Sequence, residues 1–224
     1  MKKDLCELVV VIDESASMTT IKQQTINGFN EFLETHQNLP GEALLTLVTF
    51  NTKYEVVYNG INVKDVPRLN DKVYSPTGMT ALFDAVGRAL DEVGKRYDEK
   101  KKKDRPAKVI FLIMTDGEEN SSKEYKLKQI SEKTQKRQNE DKWEFVFMGA
   151  NQDAWAAGSG MGILQNINYS VNDTQSTFAK AAYYSANSRT YNINASIKNF
   201  DLSDDEVKQE LSKLIKKSDT TPNT

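Results

Sequence analysis

Two apolar runs in this chain each end in a loop rich in side-chain oxygen atoms. Residues 8–12 (Leu-Val-Val-Val-Ile) lead into Asp13-Glu14-Ser15-Ala16-Ser17, and residues 109–114 (Val-Ile-Phe-Leu-Ile-Met) lead into Thr115-Asp116-Gly117. Continuous apolar runs of this length are typical of strands that are buried on both faces, as in a parallel sheet. Ligands of open α/β sheets bind at the carboxyl ends of the strands. The two loops therefore indicate a metal site at that end of the sheet.

The rest of the chain alternates apolar runs with helical patterns, which is typical of a largely parallel sheet covered by helices. We predict strands near residues 6–13, 43–50, 54–58, 109–114, 143–148 and 166–171, helices near residues 20–37, 80–95, 123–139 and 174–187, and a glycine-rich turn at residues 158–162. The turn at residues 51–53 is too short for a parallel crossover, so the third strand must be antiparallel, at an edge. The predicted fold is a doubly wound α/β domain of about six strands with helices on both faces.

We expect residues 1–195 to form this domain and residues 196–224 to form a C-terminal extension. Ser203 and Glu206 have the spacing of a capping box at the start of an amphipathic helix over about residues 203–217. The apolar face of this helix either docks on the domain or binds a partner, and docking is the simpler interpretation. The polar tail that follows is expected to fray.

Composition excludes several classes of protein. The chain has 224 residues, of which 38% are hydrophobic, enough to bury one full core. Its formal net charge of -2, from 30 basic and 32 acidic residues, supports neither nucleic-acid binding nor membrane-surface binding. No apolar stretch approaches the ~20 residues that span a bilayer, and Cys6 is the single cysteine. We therefore expect a cytoplasmic protein.

Three motifs together resemble those of the von Willebrand factor type A (VWA) domain family, in its stand-alone prokaryotic or phage-borne form. They are Asp13-x-Ser15-x-Ser17 after the first strand, Gly78-Met79-Thr80 at the start of a helix, and Thr115-Asp116-Gly117 after a later strand. Each motif alone could be a turn or a helix cap. Their joint occurrence, in this order and on matching strands and helices over roughly residues 5–190, is specific.

The resemblance implies a Rossmann-like fold and a metal-ion-dependent adhesion site (MIDAS). Ser15, Ser17 and Thr80 would supply hydroxyl oxygens, while Asp13 and Asp116 would supply carboxylates that bind directly or through water. An all-oxygen set favours Mg²⁺, with Mn²⁺ or Ca²⁺ possible. In this family the Asp or Glu of a partner protein typically completes the ion's coordination. The resemblance therefore implies a cation-dependent protein-binding module, which stands beside an ATPase or kinase assembly in related stand-alone proteins.

The chain departs from the family pattern at one position of the first loop. Many members have glycine between the two serines, whereas this chain has Ala16. Alanine is small, but a left-handed backbone conformation there would be disfavoured. In the third loop, Glu118 and Glu119 could compete for the open coordination position or strengthen cation binding.

Two other functions remain open at this point. One is a metal-dependent phosphohydrolase that uses the same ion, and the other is a scaffold with a non-functional metal site. We predict no catalysis, because the sequence shows no general base, nucleophile or phosphate-binding loop. His36 is expected to be a surface or helix C-terminal histidine, and Cys6 a small core residue.

Overall fold

One six-stranded sheet forms the centre of the structure, a computed structural model that describes residues 1–150, 152–169, 173–191 and 202–219. The strand order is β3-β2-β1-β4-β5-β6, and the β2–β3 pair is antiparallel while the other pairs are parallel. The strands are β1 Lys2–Asp13, β2 Glu42–Phe50, β3 Tyr54–Asn62, β4 Pro106–Thr115, β5 Glu144–Gly149 and β6 Gln165–Asn168. The predicted mixed sheet, with its antiparallel edge strand, is confirmed.

Helices cover both faces of this sheet, as the sequence predicts. They are α1 Lys22–Asn38, α2 Leu82–Glu99, α3 Leu127–Asp141, α4 Gln152–Gly160, α5 Thr174–Tyr191 and α6 Asp204–Asp219. Successive side chains of a strand point to opposite faces, so the central strand β1 contributes to two cores. Leu8 and Val10 pack in the core beneath α1 and α5, whereas Val9 and Val11 pack in the core beneath α2. Both layers are needed to bury the continuous apolar run.

The predicted glycine-rich turn is wrong, because residues 152–160 form helix α4. The glycines serve close packing rather than chain reversal. A Cβ atom on Gly158 would lie 2.7 Å from the Phe147 ring, and one on Gly160 would lie 2.9 Å from Leu127. Only Gly162, at a φ of +77°, follows the expectation of a turn.

Helix α3 begins at Leu127, four residues later than predicted. The backbone amides of Lys123, Glu124 and Tyr125 donate to the carboxylate of Asp84 instead, at 2.8, 2.9 and 2.8 Å. This long-range contact holds the segment before α3 against the start of α2.

Helix α6 packs against α5, so its apolar face is docked on the domain in this structure. Val207, Leu211 and Leu214 are buried in the same core as α1 and α5. The capping box forms, with the Ser203 amide donating to Glu206 Oε2 at 2.8 Å. The expected domain boundary at 195/196 and the end of the predicted strand at 170–171 lie outside the described residues. Residues 219–224 are predicted to fray, but Asp219 is the last residue of α6, and residues 220–224 lie outside the described residues.

Within the described ranges, no helix has both the length and the apolar character needed to cross a membrane.

Candidate metal centre

The candidate site lies where the chain changes direction across the sheet. Strands β1 and β4 are neighbours, with Ile12 opposite Met114, although β2 and β3 intervene in the sequence. Their carboxyl ends therefore form a topological switch point, where open α/β sheets bind ligands. Asp13 ends β1 and Thr115 ends β4, so the first and third predicted loops start side by side.

Asp13 is fully buried and both of its carboxylate oxygens accept hydrogen bonds. Oδ1 accepts from the Ser15 backbone amide at 2.7 Å, and Oδ2 accepts from the Thr115 hydroxyl at 2.6 Å. The first bond folds the loop back on itself, while the second joins it to β4. Asp13 therefore has a fixed orientation at the end of the strand.

A row of oxygen atoms connects the first loop to the third. Ser15 Oγ lies 3.0 Å from Ser17 Oγ, and the Ser17 hydroxyl donates to Asp116 Oδ1 at 2.7 Å. Four of the five predicted ligands are thus joined by hydrogen bonds or neighbouring backbone, although 99 residues separate Ser17 from Asp116.

Thr80 lies close to this group of oxygens, beside Gly117. A Cβ atom on Gly117 would lie 3.2 Å from Thr80 Oγ1, 3.4 Å from Ser17 Oγ and 3.8 Å from Asp13 Oδ2. Oxygens of the first and second loops therefore lie beside a glycine of the third loop. The Asp116-Gly117 pair alone is typical of a turn, and in the structure the missing side chain of Gly117 also leaves room for these oxygens.

Backbone contacts on both sides hold the second loop in place. The Thr80 amide donates to Asn120 Oδ1 at 2.9 Å, and the Asn120 amide donates back to the Thr80 carbonyl at 3.0 Å. The amide of Ala81 donates to the carbonyl of Asn51 at 3.1 Å. Thr80 is buried and lies two residues before the first residue of α2, so it does not cap the helix.

Two residues that position the site were not identified from the sequence. Glu14 is buried, its carboxylate accepts from the Ser75 amide, and its carbonyl accepts from the Thr77 amide at 2.8 Å. Tyr74 is fully buried and donates to the Asp13 carbonyl at 2.7 Å. Both connect the first loop to the segment before Thr80. No local pattern in the sequence marks the distant partners of Glu14.

Ala16 needs no glycine-like backbone in this structure. It begins a 3₁₀ turn over residues 16–21, and Ser15 before it has an extended backbone with φ of -72°. Among the described non-glycine residues, only Lys142 has a positive φ. The backbone amide of Ala16 donates to the Gly78 carbonyl at 3.1 Å. The loop closes with alanine at this position.

Burial raises the pKa of both site carboxyls. The pKa of Asp13 rises to about 6 because burial disfavours its charge and Asp116 adds a like charge, while hydrogen bonds from Thr115 and Ser15 lower it. Burial likewise raises the pKa of Asp116. A cation between them would favour the ionised forms of both groups. Two carboxylates and three hydroxyls therefore fit a hard divalent ion.

Histidine and cysteine contribute nothing to this oxygen set. In the part of the chain that the structure describes, no group of three or more His, Cys, Asp or Glu side chains could hold a metal ion. The candidate centre has only two such residues, Asp13 and Asp116. Its three hydroxyls must complete it, as the predicted motif requires.

The Glu119 carboxylate binds backbone amides and does not join the oxygen set of the site. Its Oε1 accepts from the amides of Ser121 and Ser122 at 2.9 and 2.7 Å, and its Oε2 accepts from the Phe83 amide at 2.9 Å. It thereby satisfies the Phe83 amide in the first turn of α2, where carboxylates are favoured. Glu118 is exposed. Of Glu118 and Glu119, only Glu118 is therefore a solvent-exposed charge.

The other residues considered as reactive groups are buried away from the site. His36 lies in the last turn of α1 as expected, but it is fully buried rather than at the surface. Its Nε2 is 2.8 Å from Ser185 Oγ, and Arg189 donates to its Nδ1 at 2.9 Å. Cys6 is a core residue as predicted, and burial raises its pKa to about 12.

Comparison with known proteins identifies one family. The sequence profile of the von Willebrand factor type A domain matches residues 7–181. No curated protein sequence matches the chain.

Solved structures with the same fold share little sequence with the chain. The vWF domain of Mfa5, a type V pili tip protein from Porphyromonas gingivalis, has a TM-score of 0.58 at 11% identity, over 89% of this chain and 98% of that one. A von Willebrand factor type A protein from Catenulispora acidiphila has a TM-score of 0.54 at 18% identity, over 80% of this chain and 42% of that one.

A third structure with the same fold contains a metal. Proximal thread matrix protein 1 from the mussel byssus, solved with a zinc-occupied MIDAS motif, has a TM-score of 0.51 at 15% identity, over 79% of this chain and 46% of that one. The chain spans less than half the length of this protein and of the Catenulispora protein. At these identities the likeness shows the fold.

Proposed function

Because the chain belongs to the von Willebrand factor type A domain family, we propose that it is a divalent-cation-dependent protein-binding module. The proposed ligands of the ion are the hydroxyls of Ser15, Ser17 and Thr80 and the carboxylates of Asp13 and Asp116, which bind it directly or through water. A carboxylate from an Asp or Glu of a partner protein completes the coordination. The ion then acts as a bridge between two proteins rather than as a reagent.

The convergence of oxygens from three separate loops carries this proposal. Ser17 Oγ lies 3.0 Å from Ser15 Oγ and 2.7 Å from Asp116 Oδ1, and Gly117 leaves room beside Thr80 Oγ1. Burying the Asp13 carboxylate next to Asp116 is unfavourable unless a cation compensates, which is why its pKa is raised. A bound divalent ion would remove that cost.

We propose Mg²⁺ as the resident ion, with Mn²⁺ as a substitute and Ca²⁺ also possible. Mg²⁺ prefers oxygen ligands and retains several waters, which suits a site with only two carboxylates. Two carboxylates balance the charge of the ion, while the three hydroxyls are neutral, so the ion can still attract an outside carboxylate. The zinc-occupied MIDAS of the mussel protein supports a divalent ion in this fold. A cytoplasmic location and an ATPase or kinase assembly as partner stay predictions.

Calorimetric titration of the purified chain with Mg²⁺ and Mn²⁺ tests the first half of the proposal. We expect binding by the wild type and a loss of at least about 100-fold in affinity in Asp13→Asn and in Asp116→Asn, because each substitution removes a charged ligand. Asp104→Asn, which changes an exposed aspartate between α2 and β4, is the matched control and should bind like the wild type. Wild-type chain that binds neither ion at millimolar concentration would leave only the scaffold function.

Chelation tests the second half. A partner captured from extract in Mg²⁺ should be released by chelator and should not be captured by Asp13→Asn. Hydrolysis would need a base beside the ion, and Glu119 already accepts hydrogen bonds from the backbone amides of Phe83 in α2 and of Ser122 in its own loop. Turnover of p-nitrophenyl phosphate that disappears in Asp13→Asn would replace the binding function with a phosphohydrolase.

A further inference from the structure

A cavity of about 210 Å³ lies at the amino end of the sheet, opposite the candidate metal centre. The end of α3, the starts of β5 and β6, and α5 form its wall, which includes Trp143, Gln165 and Tyr184. Leu164 also lines the cavity and is 82% exposed, so the cavity opens to solvent there. Water occupies about 30 Å³ per molecule in the liquid, so there is room for about seven waters. The same space suits one small ring-shaped molecule, because drug-sized ligands need about 300–1,000 Å³.

The indole N–H of Trp143 is an unsatisfied donor in this wall. Trp143 is 3% exposed, yet its Nε1 has no hydrogen-bond partner among the described residues. Buried indole N–H groups usually have one. The ring is held on three sides, because its centroid lies 5.5 Å from that of Phe111, 5.4 Å from that of Tyr97 and 4.7 Å from the Arg137 guanidinium. Packing therefore prevents the indole from turning towards another acceptor.

Gln165 contributes an unsatisfied acceptor to the same wall. The Tyr184 hydroxyl donates to Glu144 Oε2 at 2.8 Å, and its oxygen accepts a hydrogen bond from the Gln165 side chain. Only the amide nitrogen of glutamine can donate, so this bond fixes the orientation of the amide. Gln165 Oε1 is then buried without a hydrogen-bond partner in the described part of the chain. Leaving a buried polar atom unpaired is unfavourable.

The charges around the cavity favour a neutral ligand. The Glu144 carboxylate lies 3.0 Å from Lys108 Nζ in an ion pair, so it is not free to bind a cationic ligand. A cation would also face the Lys142 side chain and the Trp143 N–H, while an anion would face the acceptor oxygen of Gln165. A neutral group that offers both an acceptor and a donor avoids each conflict. The amide group has this combination.

We propose that this cavity binds a small neutral ligand that carries a carboxamide or a cyclic amide on a planar ring. The amide oxygen accepts from Trp143 Nε1, and the amide N–H donates to Gln165 Oε1. Trp143, Phe145 and Tyr184 give the wall three aromatic side chains, which suit a planar ring. Both polar atoms are positioned before any ligand binds, so little ordering opposes binding. The site is separate from the metal centre and needs no ion.

Benzamide is the probe that tests this inference. The full chain is titrated in chelator, so that the metal centre takes no part. NMR of isotope-labelled protein follows the indole N–H signal of Trp143, which is assigned by its absence in Trp143→Phe. We expect benzamide to shift this signal with a dissociation constant of about 1 mM, as is ordinary for so small a ligand.

Three compounds of similar size separate the contributions of the ligand's polar groups. Acetophenone has the acceptor but lacks the amide donor. It should bind about fivefold more weakly than benzamide, because Gln165 Oε1 then stays unpaired. Benzoate is an anion and benzylamine is a cation, and both should bind more weakly than benzamide.

Two variants assign the preference to the two polar atoms. Trp143→Phe keeps an aromatic ring but removes the N–H, so benzamide should bind about fivefold more weakly, as measured on the ligand signals. In Gln165→Leu, benzamide and acetophenone should bind equally. Gln23→Leu changes an exposed glutamine on α1 and is the matched control, which should retain the preference. Urea unfolding checks that each variant is folded, and the four compounds still test the wild type if one is not.

Several outcomes would overturn the inference. One is a Trp143 signal that benzamide leaves unmoved up to about 10 mM. Equal binding of benzamide and acetophenone to the wild type would mean that the cavity accepts any ring of this size, and tightest binding of benzoate would identify an anion site instead. A preference for benzamide that survives Gln165→Leu would exclude the proposed acceptor. Calorimetric Mg²⁺ binding is independent of all these results, so the two proposals fail separately.

Discussion

The two ends of the central sheet treat buried carboxylates in different ways. At the amino end, Glu7 and Glu144 each form an ion pair with a cationic side chain of the same chain. At the carboxyl end, Asp13 is surrounded by hydroxyls, a backbone amide and a second carboxylate, Asp116. Among the described residues, the chain thus supplies cationic partners to Glu7 and Glu144, whereas the hydrogen-bond donors to Asp13 are neutral.

The amino-end carboxylates are parts of closed networks. Glu7 pairs with Arg96 and accepts from the Thr46 hydroxyl at 3.2 Å. Glu144 lies 3.0 Å from Lys108 Nζ. These charges have partners that the fold itself supplies, so their role is structural.

At the carboxyl end, Asp13 has neutral hydrogen-bond donors in place of a cationic partner. The hydrogen-bond donors of Asp13 are the neutral Thr115 hydroxyl and Ser15 amide, and its pKa is raised to about 6. Burial of a charge calls for a compensating charge. The difference between the two ends is that the fold supplies cations to Glu7 and Glu144 but only neutral donors to Asp13, and in the proposed function the bound ion supplies the missing positive charge.

Removing an amino-end carboxylate should produce the largest loss of stability. Glu7→Ala leaves the Arg96 guanidinium without its partner, and breaking a buried ion pair costs about 3 kcal/mol. Urea unfolding of the wild type and the variant measures this difference. Lys95→Ala, which removes one partner of the exposed Lys95–Glu99 pair, should cost less than about 0.5 kcal/mol. Equal effects of the two substitutions would mean that the Glu7 pair is not structural.

Removing a carboxyl-end carboxylate should have the opposite effect on stability. In chelator at pH 7, Asp13→Asn should be as stable as the wild type or up to about 1 kcal/mol more stable, because the folded state no longer buries that charge. The Mg²⁺-induced rise in melting temperature should disappear. Melting curves with and without Mg²⁺ measure both effects. A loss of about 3 kcal/mol in chelator would show that Asp13 is structural, like Glu7.

Lowering the pH should destabilise the amino end through His36. Arg189 can only donate, so Nδ1 of His36 must accept and the buried ring is neutral. Burial and Arg189 hold its pKa well below the ordinary value of 6.5, so the unfolded state binds a proton more readily. Stability from this group is therefore complete above pH 6.5 and falls below it, by up to about 1.4 kcal/mol per pH unit.

The variant His36→Gln isolates this contribution, because glutamine can hydrogen-bond but does not titrate. The fall in unfolding free energy between pH 7 and pH 5.5 should be smaller in the variant than in the wild type. Identical pH profiles would exclude His36 as the source of the acid sensitivity.

Filling the space beside the hydroxyls should weaken Mg²⁺ binding without unfolding the protein. In Gly117→Ala the new methyl group would lie 3.2 Å from Thr80 Oγ1, which is close enough to displace that oxygen. We expect Mg²⁺ affinity to fall about tenfold, a change of about 1.4 kcal/mol. Calorimetry measures the affinity, and urea unfolding in chelator should show a much smaller change. Unaltered Mg²⁺ affinity would exclude Thr80 from the coordination sphere.

The sequence predicted the elements that depend on local patterns. The apolar runs located the strands, and the three motifs located the five oxygen-bearing residues that the structure brings together. Contacts between distant residues were beyond it: Glu7 and Arg96 are 89 positions apart, and Glu14 contacts Ser75 across 61 positions. Helix α4 was mistaken for a turn because glycines that allow close packing look like glycines that reverse the chain.

The smallest expected effect concerns Ala16, where the sequence departs from the family pattern. If the loop needed a glycine-like backbone, Ala16→Gly would tighten Mg²⁺ binding and stabilise the protein. Ala16 instead starts a 3₁₀ turn, and its amide bond to Gly78 would persist in the variant. We therefore expect Mg²⁺ affinity to change less than about twofold, while stability falls by about 0.5 kcal/mol because glycine is more flexible in the unfolded chain. Calorimetry and urea unfolding measure the two quantities, and a clear gain in affinity would show that alanine strains the first loop.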